Sequence, residues 1–237
     1  MKILALETTE KFGSVALLDD LHVLKEIVLP KDRRSSQTLH PAMHSLFETT
    51  RIAPKDIDIV AVIAGPGSFT GLRVGVTAAK VFAYTTGAKV IALDTFEVVA
   101  SGDCAEYRSV PGSLISVGVD AQRGQVVAAV LRRTCKSGGP KFPDCIEFVR
   151  EPELIPVADW WKHAEQYESV QFTGPALERW NTKVPPHIVL APEADWFPKA
   201  SAAGKLALSR KFDDAWTLQP IYSRLSAAEE KHQERWA

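Results

Sequence analysis

An α/β fold made of two similar halves is predicted by three features of the 237-residue sequence. Apolar runs of strand length alternate with stretches of helical spacing. Two short hairpins, each closing its first strand with an acid, stand about 110 residues apart. Hydrophobic residues at 46% and charged residues at 24% match a soluble globular chain long enough for two small cores.

The elements follow in order. Ile3 to Leu6 and Ser14 to Leu18 are apolar runs around the polar turn Thr8-Thr-Glu-Lys-Phe-Gly13, which reads as a β-hairpin. Val23, Lys25, Ile27 and Leu29 share one face of a third strand. From Ser36 the spacing becomes helical, with Leu39, Met43, Leu46 and Phe47 on one side and Ser35 or Ser36 placed to cap. Pro41 either kinks this helix or marks its first turn. Ile57 to Ala64 is a continuous apolar run suited to a buried parallel strand. A glycine-rich loop, a helix from about Thr70 to Thr85 closed by Gly87, and a strand from Val90 to Leu93 complete the first half.

The second half opens alike. Leu114 to Val119 and Val126 to Leu131 flank the turn Asp120-Ala-Gln-Arg-Gly124. Leu6-Glu-Thr-Thr and Val119-Asp-Ala-Gln are comparable, which points to an internal duplication. Beyond Leu131 the pattern loosens. Cys135 to Pro143 reads as a loop, Pro152 to Pro156 as the opening of a helix carrying Trp160 and Trp161, and Val170 to Pro175 as a strand and turn. Ser201 to Phe212 has amphipathic helical spacing, and Ser226 to Arg235 is either a solvated helix or a flexible end. The order β-β-β-α-β-α-β resembles a ribonuclease-H-like unit. Two such units with paired acidic hairpins resemble the actin/hexokinase/Hsp70 plan, the second unit degenerate. Domains of 1–101 and 102–237 are expected, split near the polar stretch Ser101 to Pro111, with one late helix placed to pack back on the first.

Net charge is −1, so no basic excess favours nucleic acid, and a partner is expected to supply most of the positive surface for RNA. Cys104, Cys135 and Cys145 are odd in number and lack CxxC spacing, which argues against a disulfide framework or a thiolate metal site. An acid at Glu7 interrupts any signal-length apolar start, and no run approaches a membrane span. A cytoplasmic protein with no membrane partner is expected.

Gly65-Pro-Gly-Ser-Phe-Thr-Gly-Leu-Arg-Val-Gly75 carries the most information. A glycine-rich turn between a strand and a helix can present N–H groups to an anion, or can simply be tight. It lacks the Gly-Lys-Ser/Thr ending of a phosphate loop, and Pro66 and Phe69 spoil a dinucleotide fingerprint. Ser68, flanked by Gly67 and Phe69, does not match a nucleophile elbow. Gly71, Gly75, Ala79 and Ala83 fall four apart and make a smooth ridge. That ridge suits either the protein's own sheet or a second polypeptide.

Gly65 to Gly75 resembles the signature segment of the bacterial TsaB (YeaZ) family, relatives of TsaD among the glycoprotease-like proteins. Ile3-Leu-Ala-Leu-Glu-Thr-Thr, Ser36-Gln-Thr-Leu-His-Pro, Val119-Asp-Ala-Gln-Arg-Gly-Gln-Val and Gln219-Pro-Ile-Tyr-Ser-Arg224 are similar to further family segments, in the same order. Cys135 to Ala200 matches loosely. The resemblance implies a non-catalytic subunit acting with a TsaD-like catalytic subunit and a TsaE-like ATPase. The assembly would transfer threonylcarbamoyl from its adenylate to N6 of the adenosine beside the tRNA anticodon. The chain would meet tRNA only through that complex, and would form a homodimer when the partner is absent.

No cofactor is expected. Glu7, Thr8 and Asp120 are the candidate nucleotide-contacting positions, but Glu7 stands where relatives carry Asp, and Thr8-Thr9 replaces a glycine-bearing phosphate turn. Arg123 is placed to neutralise Asp120, and Gly174-Pro175 is a poor adenosine loop. TsaD-like proteins carry two histidines four apart after the strand that follows the glycine-rich helix; by that comparison Thr95 and Val99 stand there, so no metal site is expected. His40 and His44 are four apart on an earlier helix without a nearby acidic ligand, and His22, His163, His187 and His232 are isolated. The partner interface is placed at Gly65, Pro66 and Gly67, the small-residue helix and the helix from Ser36 to Thr50. A free-standing glycoprotease-type hydrolase or ATP-dependent small-molecule kinase is the alternative.

Overall fold

The computed structural model describes residues 1–102, 112–134, 145–167 and 169–224. Strands β1 (Lys2–Glu7), β2 (Ser14–Asp19) and β3 (His22–Val28) form an antiparallel meander, and β4 (Ile59–Gly65) and β5 (Lys89–Asp94) add on parallel to β1. The sheet order is β3-β2-β1-β4-β5. The second sheet, of β6 (Leu114–Asp120), β7 (Gln125–Thr134), β8 (Cys145–Pro156), β9 (Val170–Thr173) and β10 (Val189–Leu190), has the order β10-β9-β6-β7-β8. Read from its other edge, that is the same permutation. Both halves are therefore ribonuclease-H-like, and the pair has the actin/hexokinase/Hsp70 architecture.

Each sheet is buried on both faces, which accounts for the unbroken apolar runs of β1 and β4. One face of the first sheet packs Leu4, Leu6, Val60 and Val62 against helices α1 (Ser35–Thr50) and α2 (Phe69–Thr86). The opposite face packs Ile3, Ala5 and Ile63 against α7 (Ala200–Ala207), which comes from the far end of the chain. The first amides of α7 are held by the first half: Ser14 Oγ accepts from Ala200 N–H at 2.9 Å, and Glu26 Oε1 from Ser201 N–H at 3.1 Å. A carboxylate at a helix start is favoured by the unpaired N–H groups there.

Short helix α3 (Thr95–Ala100) joins the halves. Val98 packs in the first half's cluster, while Phe96, Val99 and Ala100 pack with Ile115, Val117 and Val119 of the second sheet. Among the described residues, the other helices of the second half, α4 (Val157–Trp161), α5 (His163–Gln166) and α6 (Leu177–Trp180), are only four or five residues long. In those helices the second unit is reduced; its sheet is complete.

Several local expectations are corrected. α1 begins at Ser35 with Arg34 as N-cap, whose side chain makes no capping bond, so neither Ser35 nor Ser36 caps. Pro41 lies inside α1, beyond its first turn and facing solvent. Pro152 to Pro156 ends strand β8, and the tryptophan helix starts at Val157. α7 stops at Ala207, because the following chain turns to run beside β5. The Cys135–Pro143 loop, Cys104 and the 226–235 tail lie outside the described residues.

Candidate functional site

Three turns meet where the two halves face each other: the β1–β2 turn, the β4–α2 loop and the β6–β7 turn. Glu7, at the end of β1, is fully buried. Its carboxylate accepts from the N–H of Thr9 at 2.9 Å, the Thr9 hydroxyl at 2.7 Å and the N–H of Glu10 at 3.2 Å. Burial outweighs the bonds from Thr9 and Glu10, which act to lower its pKa, and pushes it up to about 7. These donors orient the side chain into its own turn, where it holds the hairpin closed.

Thr8 is likewise committed inward. Its hydroxyl donates to the carbonyl of Gly71 at 2.8 Å. A Cβ on Gly71 would overlap the Thr8 carbonyl oxygen, and a Cβ on Gly75 would overlap the Thr8 hydroxyl. Ala79 and Ala83 are buried against the same sheet. The smooth ridge of α2 thus serves close approach of the first hairpin, and does not face out. Of the two uses the spacing allowed, the ridge serves the protein's own sheet.

Gly65, Pro66 and Gly67, the positions expected at a partner interface, also pack against the protein itself. Gly65 and Pro66 are buried, and Gly67 lies against Thr9. Gly65 has φ +134°, and a Cβ there would overlap the carbonyl of Ile221. The reason is a C-terminal strap. Asp213 bridges Val90 of β5 and accepts from Ala92 N–H at 2.8 Å. Lys80 donates to the carbonyls of Trp216 at 3.2 Å and Leu218 at 3.0 Å. Ile221 N–H donates to Ala64 O at 2.7 Å. Tyr222 stacks on Phe69 at 4.6 Å and accepts from Arg73 Nε at 2.9 Å. Arg224 then crosses to the second half, donating to Ala121 O at 2.9 Å and to Gln125 Oε1. The conspicuous loop is a seat for the protein's own strap.

Across from it, Asp120 accepts from Gln122 N–H at 3.0 Å and pairs with Arg179 at 3.3 Å. Arg123 was the neighbour expected in that role; Arg179, 59 residues away on α6, takes it. Half-buried Glu10 projects between the halves. Burial, with Glu7, Glu178 and Asp120 adding repulsion, pushes its pKa up to about 8. These turns enclose an open cleft of about 1130 Å³.

The positions compared with metal ligands make other contacts. The Thr95 hydroxyl donates to Pro66 O at 2.6 Å, and Val99 is a core residue. His44 pairs with Glu48 at 3.4 Å on the helix surface. Among the described residues no cluster of three or more His, Cys, Asp or Glu could hold an ion. Ser68 caps α2, its hydroxyl accepting from Gly71 N–H at 3.4 Å.

One polar group was invisible in sequence. His163 is buried beneath the second sheet, its Nδ1 2.9 Å from Ser116 Oγ, which also accepts from Trp160 Nε1 at 2.9 Å. The hydroxyl has two acceptor sites, so it accepts from Trp160 and meets Nδ1 as donor or as acceptor according to the tautomer of the ring. Burial, with Arg150 nearby, pushes its pKa down to about 4.

The family model described as TsaD, tRNA N6-adenosine threonylcarbamoyltransferase, matches residues 22–171. The tRNA threonylcarbamoyladenosine biosynthesis protein TsaB of Bacillus subtilis is 30% identical over 236 residues, covering 98% of this chain and 97% of that one. The chain belongs to the TsaB family. Two Pseudomonas aeruginosa structures share its fold. One, described as similar to peptidase YeaZ, has TM-score 0.73 at 20% identity, covering 94% of this chain and 99% of that one. The other, YeaZ itself, has TM-score 0.70 at 21% identity, with 93% and 99% covered. The TsaB relation accounts for the near-complete coverage in both directions, and places this chain among proteins named for threonylcarbamoyladenosine synthesis on tRNA.

Proposed function

We propose that this chain is the non-catalytic subunit of a cytoplasmic threonylcarbamoyl-transfer assembly. A TsaD-like subunit does the chemistry, a TsaE-like ATPase assists, and threonylcarbamoyl passes from its adenylate to N6 of the adenosine beside the anticodon. The supporting observation is how the candidate groups are spent. Glu7 is tied to its own turn, Thr8 to α2, Thr95 to Pro66, and the space over Gly65 is filled by the strap. In the parent architecture these positions surround a ligand; here they hold the fold.

The partner docks on the outer layer made by α1 and α2. Phe47 and Phe82 stack at 6.0 Å between the helices, so the layer is firm. The outward row of α2 ends in Val81 and Tyr84, which are 55% and 74% exposed, beside Trp216 at 75%. Tyr84 and Trp216 meet edge to face at 5.6 Å and extend this apolar surface onto the strap. Exposed aromatic groups that keep ordered contacts suit an interface anchor. The same surface makes a homodimer when the partner is missing.

Three measurements test this. Modification of a tRNA transcript by the reconstituted partners, with and without this chain, is expected to require it; an unchanged rate on omission refutes the proposal. Val81→Glu/Tyr84→Glu is expected to lose co-purification with the TsaD-like subunit while retaining wild-type melting. Tight Mg-ATP binding by the isolated chain, seen in calorimetry, would favour an enzyme instead.

A further inference from the structure

The chain's net charge of −1 conceals a separation of charge. Seven Lys and Arg side chains line the cleft between the halves, against three carboxylates. Lys31, Arg33 and Arg34 come from the segment entering α1, and Arg123 and Arg179 from the second half across the opening. All five are exposed. Glu10 and Asp120 are half-buried, and fully buried Glu7 lies behind them. The third lining carboxylate, Glu178, is exposed beside Lys11, so the mouth carries more positive than negative charge while Glu10 and Asp120 lie deeper.

The cations are not equally committed. Lys31 lies over the Phe12 ring at 3.5 Å, Arg179 pairs with Asp120, and Lys11 is 3.8 Å from Glu178. Arg33 and Arg34 form no ion pair among the described residues. Two adjacent guanidinium groups without carboxylates repel one another and gain from an anion that meets both.

We infer that the mouth of this cleft binds the phosphate backbone of RNA, so that the chain contributes its own RNA contacts to the assembly. The identity of the polyanion rests on the functional reading above; the charge pattern does not. A mononucleotide fits less well. Its phosphates would have to pass the rim and sit against Glu10 and Asp120, and the place over Gly65 is already taken by Ile221. A backbone crossing the mouth meets the exposed cations, with Glu178 engaged by Lys11, and stays clear of Glu10 and Asp120. Tyr222, 39% exposed and stacked on Phe69, adds a ring face at the same opening. On this inference the chain adds contacts of its own to the larger positive surface expected of a partner.

The test is fluorescence anisotropy of an unmodified tRNA transcript titrated with the full chain, from about 50 to about 200 mM salt. Wild type is expected to bind with affinity falling as salt rises. Arg33→Glu/Arg34→Glu is expected to bind about tenfold more weakly at the low-salt end, with the log–log salt slope reduced by about two. Lys55→Glu/Lys89→Glu makes the same charge change on exposed residues away from the cleft, and is expected to stay within about twofold of wild type. Absence of salt-dependent binding, or equal losses in the two variants, overturns the inference. So does displacement of the transcript by Mg-ATP, which would assign the cleft to a mononucleotide. The Arg33/Arg34 variant is also expected to retain co-purification with the TsaD-like subunit. Reconstitution unaffected by omitting the chain refutes the subunit role whatever the anisotropy shows. A requirement for the chain, with RNA binding unchanged in the arginine variant, refutes only this inference.

Discussion

Gly75→Ala will weaken the protein, and the same substitution in a Thr8→Ala background will strengthen it. In an open helix, alanine in place of glycine gains about 1 kcal/mol from backbone entropy. At position 75 that gain meets the Thr8 hydroxyl, which the new Cβ would overlap. Its other neighbours, Val62 Cγ2 at 3.5 Å and Thr8 Cβ at 3.6 Å, are ordinary contacts. The hydroxyl cannot simply rotate away, because it donates to Gly71 O at 2.8 Å. Relieving such an overlap in a packed interior costs roughly 2–3 kcal/mol, so the net loss is about 1–2 kcal/mol. Thr8→Ala removes only the offending oxygen and methyl, and the cost of its lost hydrogen bond, about 1 kcal/mol, is carried by the single variant too. On that background Gly75→Ala should stabilise by about 0.5–1 kcal/mol, making the coupling about 2 kcal/mol. Urea unfolding of the four proteins measures the cycle. The same sign for Gly75→Ala in both backgrounds would refute the claim that the ridge faces the first hairpin. It would return the ridge to the partner surface.

Two further expectations concern the strap and the buried histidine. Gly65→Ala is expected to speed hydrogen exchange at the Ile221 amide by an order of magnitude or more and to destabilise the fold by about 2 kcal/mol, since the new Cβ meets the Ile221 carbonyl and φ is +134°; unchanged protection at Ile221 would count against the strap. His163 has a folded pKa of about 4, below its unfolded value of about 6.5, so between these values the unfolded chain binds the extra proton. Its contribution to stability is whole above that window and falls by about 1.4 kcal/mol for each pH unit of acidification within it. His163→Gln should remove that slope between about pH 6 and pH 5, read by urea unfolding at both, and equal slopes would show that the histidine is not held neutral.

The sequence made the two hairpins legible because strands buried on both faces leave unbroken apolar runs, and an acid ends β1 and β6 alike. α2 was legible from its spacing and from Gly87, which ends it in the left-handed conformation, while the cap at Ser68 emerged only in the structure. Strand β8 was not, because it lies at an edge of its sheet, where Arg150, Glu151 and Glu153 meet water and erase the alternation. Two-residue β10 is too short to carry any period. The site was half legible. Spacing located the small residues of α2 but could not say what approached them, since Thr8 lies over sixty positions earlier. Proximity in sequence favoured Arg123 for Asp120, whereas the fold brings Arg179. Ser116, Trp160 and His163 converge only after β6 and the segment beyond β8 have packed.

Ile221 and Arg224 stand three residues apart, yet each is anchored to a different half. Three residues span at most about 11 Å of extended backbone, with one arginine side chain beyond that. The strap therefore works as a tether of fixed length across the mouth. Hinge opening wide enough to separate the two sides of the cleft would first have to release Ala64 or Ala121. A protein tied in this way keeps one spacing between its lobes, and offers any neighbour a surface whose two sides are already in register.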